Sequence, residues 1–394
     1  MYRYGQGMGH TNSGLEGVVA ATTRLSHVEG ERGELVIAGY PVEELAASAT
    51  FEETTWLLWH GRLPAAPELQ TFREALAGAR RVPDTTLALL RECARRRMPV
   101  MDALRVAAGT LSLESDEATG IVARMPAIVA SYWQLRQGRE PVPPRADLGH
   151  VANFLYMLHG DVPHPERVRA LETYFNTVID HGLNASTFTA RVITSTGSDL
   201  VSAIVGALGA LKGPLHGGAP GPALDMVFEI GDASRAEAVL RAKIERGEKL
   251  MGFGHRVYKV RDPRADVLAK AAERLFTRGG DMALYTLARA VEQDALRLLE
   301  EYKPGRRLQT NVEFYTALLL HGLGLDVELF TPSFAISRVS GWIAHAFEQR
   351  EGNRIIRPQS EYVGPRGRTW APLAQRVTAP ERPSGWLAPA VAGS

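Results

Sequence analysis

Residues 251–264 read MGFGHRVYKVRDPR, a glycine-rich turn that presents His255 and then cations at Arg256, Lys259, Arg261 and Arg264. Gly252 and Gly254 have no Cβ, so the backbone there can pass close to a ligand. The cations suit carboxylates or phosphates. Asp262 and Pro263 read as a helix start, a capping Asp followed by Pro at the first helical position. A surface loop carrying a solvated charge run accounts for the same residues.

Four further positions have acid–base or anion-binding potential. KGPLHGGAPGPALDMV at 212–227 sets His216 on an irregular Pro/Gly turn just before a helix that starts near Pro220. DHGLNASTFTARV at 180–192 places His181 and Asn184 three apart, on one face if the helix has already begun. A helix start capped by Asp180 or Asn184 explains those polar residues as well. Glu313, in NVEFY at 311–315, falls in the first turn of a helix that Asn311 can cap, where an acid also complements the helix dipole. Arg338 lies inside an apolar helix and needs a partner, because an unpaired internal charge is expensive; Glu348 or another carboxylate would serve.

The elements that must position these groups are almost all helical. Pro41 opens a short helix, PVEELAASA. Apolar residues at three- and four-residue spacing predict helices at 51–60, 66–79, 84–97, 99–111, 118–138, 146–159, 164–180, 184–194, 199–211, 234–246, 264–278, 282–301, 311–322 and 332–350. The one credible strand is near GELVIAGY at 33–40. Residues 198–211 are apolar nearly all round, with Ser198 available as a cap, which fits a central core helix or a subunit interface. From about Pro365 to Ser394 a Pro/Arg-rich tail reads as an extended arm.

Composition bounds the function classes. The 394-residue chain can bury a sizeable core, and its formal net charge of +1 gives no global attraction to nucleic acid or acidic membranes. A single cysteine, Cys93, forbids an internal disulfide, and no Cys/His cluster has metal-ligand spacing. The N-terminal residues lack the apolar core of a signal peptide, and no run is long enough for a membrane span, so a cytoplasmic protein is expected. The stretch Gly252-Phe253-Gly254-His255 lacks the third glycine of a dinucleotide fingerprint, and no GxxxxGK[ST] occurs.

Taken in order, GLEGVVAATTRLSHVEGERGELVIAGYPVEEL, HGLNASTF, GPLHGG, MGFGHRVYKVRDPR, NVEFY and SRVSGW resemble the motifs of the citrate synthase family across most of the chain. The resemblance implies an all-α, two-domain fold with a cleft. Its large domain would span 1–216 and 325–394, and its small domain 217–324. It implies condensation of acetyl-CoA with oxaloacetate, with His216, His255 and Glu313 catalytic. His181, Asn184, Arg264, Arg338 and Arg357 would bind oxaloacetate, the last reaching into the neighbouring subunit of a homodimer. The backbone of Met251, Gly252, Phe253 and Gly254, with Arg256 and Lys259, would meet CoA. No metal or permanently bound cofactor is implied, nor any nucleic-acid or membrane partner.

Departures are local. Pro220 and Gly221 stand where the family often has Asn-Glu, and Gln359 where a basic residue is frequent. Glu313 stands where most members have Asp, adding one methylene to the base. The alternatives are 2-methylcitrate synthase, using propionyl-CoA, and a non-catalytic oxaloacetate- or CoA-binding relative. One methylene in an apolar pocket changes binding by only about 1–3 kcal/mol, so the sequence does not separate the first two.

Overall fold

The computed structural model describes residues 13–15, 17–111, 117–217, 220–255, 258, 260–279 and 281–376. A small antiparallel sheet comes first: β1 (Ser26–Glu29), β2 (Glu34–Ile37) and β3 (Tyr40–Pro41), in that spatial order. Ser26 pairs with Ile37 and Val36 with Pro41. The sheet extends the single strand expected near 33–40, because the short run at 26–29 carries too little alternation to declare itself. Pro41 belongs to β3 and precedes the first helix instead of opening it.

Helices follow. The first seven are α1 (Val42–Ser48), α2 (Phe51–His60), α3 (Ala66–Gly78), α4 (Asp84–Arg95), α5 (Val100–Ala108), α6 (Glu117–Arg136) and α7 (His150–His159). Next come α8 (Pro165–Val178), α9 (Ala185–Ser195), α10 (Leu200–Leu211), α11 (Pro220–Ile230) and α12 (Ala236–Glu245). The last are α13 (Pro263–Thr277), α14 (Met282–Tyr302), α15 (Val312–Gly322) and α16 (Phe330–Glu351). The three- and four-residue periodicity therefore located the long helices other than α11, which the expected start near Pro220 marked instead.

Cap chemistry sets the boundaries near the site. Asn184 accepts from Thr187 N–H at the start of α9, Asp262 from Arg264 N–H at α13, and Asn311 from Glu313 N–H at α15. Each satisfies a donor that the first helical turn leaves unpaired. At α10 the cap is Asp199, which accepts from Ser202 N–H, in place of the expected Ser198. That helix is buried along most of its length, and Gly206 lets it approach α9 closely. A Cβ at Gly206 would lie 2.2 Å from Ile193 Cδ1.

The core is organised around α16, which packs against α2, α5, α6, α8, α9 and α10. Ile336, Val339, Trp342 and Ile343 are fully buried, and so are Ser337, Arg338, Ser340 and His345. A helix enclosed on every side normally carries apolar residues only. Its internal polar groups therefore need specific partners.

The chain divides into two compact units, Met1–Ile356 and Arg357–Ser394. In the second, the regular element among the described residues is one 3-10 turn at Leu373–Gln375, and Arg376 lies over the Trp370 ring. No helix among the described residues is long and apolar enough to cross a membrane.

Candidate active site

A cavity of about 300 Å³ collects Tyr174 and Val178 from α8, the His181–Asn184 turn, His216, His255, Arg264 at the start of α13, Glu313 at the start of α15, and Phe334 and Arg338 from α16. Seven residues expected from the sequence thus share one pocket, though they are spread from position 181 to 338. A larger groove lined by Arg24, Arg191, Glu348 and Ile356 lies elsewhere and contains none of them.

Backbone pairing joins the two loops that hold His255 and Glu313. Phe253 and Thr310 form an isolated antiparallel bridge. Gly254 N–H donates to Gln309 O at 2.7 Å, and Asn311 N–H donates to Gly252 O at 3.0 Å. Gly252 adopts φ +88°, and a Cβ there would sit 2.9 Å from Phe314. Its glycine is required both by the left-handed backbone and by this close approach. Met251, Gly252, Phe253 and Gly254 thus serve first as the ladder that registers these loops. Arg256 and Lys259 lie outside the described residues.

Arg264 is buried against Asp262. Its Nε donates to Asp262 Oδ1 at 3.0 Å and its Nη2 to Oδ2 at 2.8 Å. Burial pulls the guanidinium pKa down, but the Asp262 carboxylate more than offsets it, so Arg264 stays charged. Tyr258 N–H donates to His255 Nδ1 at 3.0 Å. His255 Nε2 lies 3.3 Å from Arg264 Nη2. His255 and Arg264 thus line the cavity side by side, and the charged guanidinium there suits an anionic or carbonyl oxygen.

Arg338 does not pair with Glu348, as the sequence suggested. Its Nε donates to Val178 O at 2.7 Å, and Glu348 pairs instead with Arg191 at 2.7 Å. Both helical positions face inward, but 338 and 348 are ten residues apart along the axis of α16, roughly 15 Å. Burial lowers the Arg338 pKa to about 10, opposed by Asp180. No hydrogen bond among the described residues occupies its terminal nitrogens, which border the cavity.

His181 and His216 are kept neutral. Burial pushes His181 well below the usual range, reinforced by Arg264, Arg338 and His255, and burial with Arg338 lowers His216. His181 Nε2 lies 3.1 Å from the Tyr258 hydroxyl. His216 Nε2 lies 2.8 Å from Ser186 Oγ, which also accepts from Trp342 Nε1 at 3.1 Å. Glu313 is half-buried, and its pKa is raised by burial against the opposing pull of Arg264. A raised carboxylate beside neutral imidazoles is suited to proton transfer near neutral pH.

Asn184 serves as the cap of α9 and lines the pocket as well. Arg357 opens the second unit, where its side chain is exposed. Sequence reasoning missed Tyr174, Tyr258, Ser186 and Trp342, whose contacts depend on long-range packing. Asp262 was recognised as a cap, and its second role as the Arg264 partner follows from that same position. Glu292 was also missed. Fully buried on α14, it accepts from Thr310 Oγ1 at 2.7 Å and from the Tyr315 hydroxyl at 2.5 Å, and it pairs with Arg261 at 2.9 Å. Among the described residues no group of three or more His, Cys, Asp or Glu side chains could hold a metal ion.

Fold and site together define an all-α protein whose pocket unites a glutamate and three histidines with two arginines. The family model described as "Citrate synthase, C-terminal domain" matches residues 14–359. Citrate synthase 2 of Bacillus subtilis is 42% identical, over 92% of this chain and 99% of its own length. The 2-methylcitrate synthase of Mycobacterium tuberculosis is 41% identical, over 89% of this chain and 90% of its own. Among solved structures, the ternary complex of carboxymethyl coenzyme A and oxaloacetate with the citrate synthase of Thermoplasma acidophilum superimposes with a TM-score of 0.84. It is 32% identical and covers 93% of this chain and all of that one. The chain belongs to the citrate synthase family.

Proposed function

We propose that this chain condenses acetyl-CoA with oxaloacetate and water to give citrate and CoA, the entry step of the tricarboxylic acid cycle. The observation that carries the reading is the convergence of Glu313, His216 and His255 with Arg264 and Arg338 on one cavity. Glu313 takes a proton from the acetyl methyl group. His216 supports the enol(ate) oxygen as it forms, with its Nε2 held 2.8 Å from Ser186 Oγ. His255 polarises the ketone and supplies the proton of the new hydroxyl. Water then cleaves the thioester, releasing CoA.

Arg264 and Arg338 grip the oxaloacetate carboxylates, because a planar guanidinium binds them bidentately and stays charged. His181 adds a neutral hydrogen-bonding group, with Asn184 beside it. In a homodimer, Arg357 of one protomer serves the site of the other. The backbone of 251–254 lies against the CoA adenine, with Arg256 or Lys259 near its phosphates. The large domain comprises 1–216 and 325–394, the small domain 217–324, and closure between them keeps water from the enolate. No metal or resident cofactor takes part, and the enzyme works in the cytoplasm.

The test is thiol release from purified protein given oxaloacetate with acetyl-CoA, and separately with propionyl-CoA. Release that needs oxaloacetate, favours acetyl-CoA and disappears in Glu313→Gln supports the reading. Preference for propionyl-CoA would move the assignment to 2-methylcitrate. Binding of oxaloacetate without release from either thioester would leave a non-catalytic relative.

A further inference from the structure

The end of α8 is stitched to α16 along a single face. Ser337 Oγ donates to Phe175 O at 2.6 Å and Arg338 Nε to Val178 O at 2.7 Å, so carbonyls left open at the helix end are satisfied. At the next turn a Cβ on Gly341 would lie 2.3 Å from Ile179 O, so the two backbones meet without an intervening side chain. One turn further, His345 Nε2 lies 3.1 Å from Asp180 Oδ1.

Asp180 directly precedes His181. Its second oxygen accepts from Ser26 Oγ at 2.5 Å, and Ser26 Oγ in turn accepts from Gly182 N–H at 2.8 Å. The backbone on both sides of His181 is therefore held, through Asp180 before it and Gly182 after it. His345 faces a second charge on its other side, since its Nδ1 lies 3.1 Å from Arg191 Nη1. A guanidinium has donors only, so Nδ1 accepts and the ring proton sits on Nε2, directed at Asp180. Asp180 and His345 are fully buried and Arg191 nearly so. An apolar side chain of similar size would fill the same space but leave Asp180 and Arg191 buried without this partner, which is costly.

We propose that His345 is a positioning residue for oxaloacetate binding: with its tautomer set by Arg191, it holds Asp180 and so fixes His181 against the substrate. The inference rests on the reading of the cavity as the oxaloacetate site. It concerns the geometry of His181 and leaves the chemical steps as assigned.

Two substitutions separate positioning from packing. His345→Leu keeps the volume and removes both hydrogen bonds. His345→Gln can direct an amide N–H at Asp180 and an amide oxygen at Arg191. The expected result is a KM for oxaloacetate raised at least tenfold in His345→Leu, a KM for acetyl-CoA within twofold of wild type, and recovery to within threefold in His345→Gln. In a His181→Ala background, His345→Leu should add less than twofold. Equal KM values for oxaloacetate in the two variants, or full additivity with His181→Ala, would overturn the proposal.

Should His345→Leu fail to fold, Ser26→Ala loosens the other side of the clamp and must raise the same KM at least threefold; no change refutes the idea. Calorimetric titration of oxaloacetate into the same proteins keeps this inference distinct from the proposed reaction. Wild type that binds oxaloacetate and releases no thiol refutes the condensation, and a tenfold weaker Kd in His345→Leu still decides the role of His345. Wild type that does not bind oxaloacetate refutes both.

Discussion

Asn311 Nδ2 donates to Gly254 O at 2.8 Å while Asn311 Oδ1 accepts from Glu313 N–H at 3.0 Å, so one side chain registers the His255 loop against the Glu313 helix. Replacing Asn311 by Ala removes the cap of α15 and this bridge together. Loss of the cap alone costs about 1 kcal/mol of stability. A displacement of about 1 Å between reacting groups costs roughly 100-fold in rate. Asn311→Ala is therefore expected to lose about two orders of magnitude in kcat with only a few degrees in Tm. Steady-state kinetics and a melting curve on the same sample test it, and a rate loss no larger than the stability loss predicts would refute the bridge.

Glu313 makes a prediction about pH. Burial raises its pKa above the usual 4.5, so protons occupy it at a higher pH than an ordinary glutamate. A rate that needs the carboxylate must fall as pH falls, and the acid limb of kcat/KM should begin above 4.5. The limb should vanish with the activity in Glu313→Gln, which is expected to lose about 10²–10⁴-fold.

Glu313→Asp withdraws the carboxylate by about one methylene while keeping a base. In a cavity built around Glu, this variant should lose roughly 10- to 100-fold in kcat and leave the KM for oxaloacetate within twofold. A rate equal to or above wild type would mean that the pocket is set for the shorter acid.

Tyr174 is almost fully buried, and its hydroxyl has no hydrogen-bond partner among the described residues. A buried polar group without a partner costs about 1–3 kcal/mol. Tyr174→Phe keeps the ring and removes that cost, so Tm should be unchanged or higher. A fall of several degrees in a thermal melt would show that the hydroxyl is bonded after all.

His150 ties stability to pH. It stacks on Phe51 with ring centroids 5.0 Å apart, and neither ring nitrogen has a partner among the described residues. Burial first, and then Arg80, lower its pKa from 6.5 to about 3. Between those values the unfolded chain binds a proton that the folded chain refuses, so stability falls as pH falls from 6.5 towards 3. Above 6.5 the residue contributes no slope. Its share of the slope is about 1.4 kcal/mol per pH unit. Urea melts of wild type and His150→Phe at pH 7 and pH 5 should show a smaller loss in the variant; equal losses would place the sensitivity elsewhere.

Much of the molecule was legible in one dimension because helices announce themselves locally. Three- and four-residue spacing located α2 to α10 and α12 to α16, Pro220 marked the start of α11, and the caps at Asn184, Asp262 and Asn311 are short-range signals. Glycine at 252 and 254 also marks left-handed backbone that few other residues adopt. The site residues themselves stood out as polar side chains on turns or in apolar helices, and the resemblance of their motifs to one family supplied their expected roles.

What the chain alone left open is which of these groups meet. Arg338 looked equally able to pair with Glu348; packing against the end of α8 directed it to Val178 O and gave Glu348 to Arg191. Nothing near Tyr258 or Ser186 in sequence reveals that they touch His181 and His216, since those contacts span 77 and 30 residues. Burial raises the Glu313 pKa against Arg264 and lowers that of His181 together with Arg264, and neither burial nor that charge pairing exists until the helices close around the cavity. Local propensity is written in neighbouring residues. Desolvation and charge pairing belong to neighbours in space, and only the folded chain chooses those.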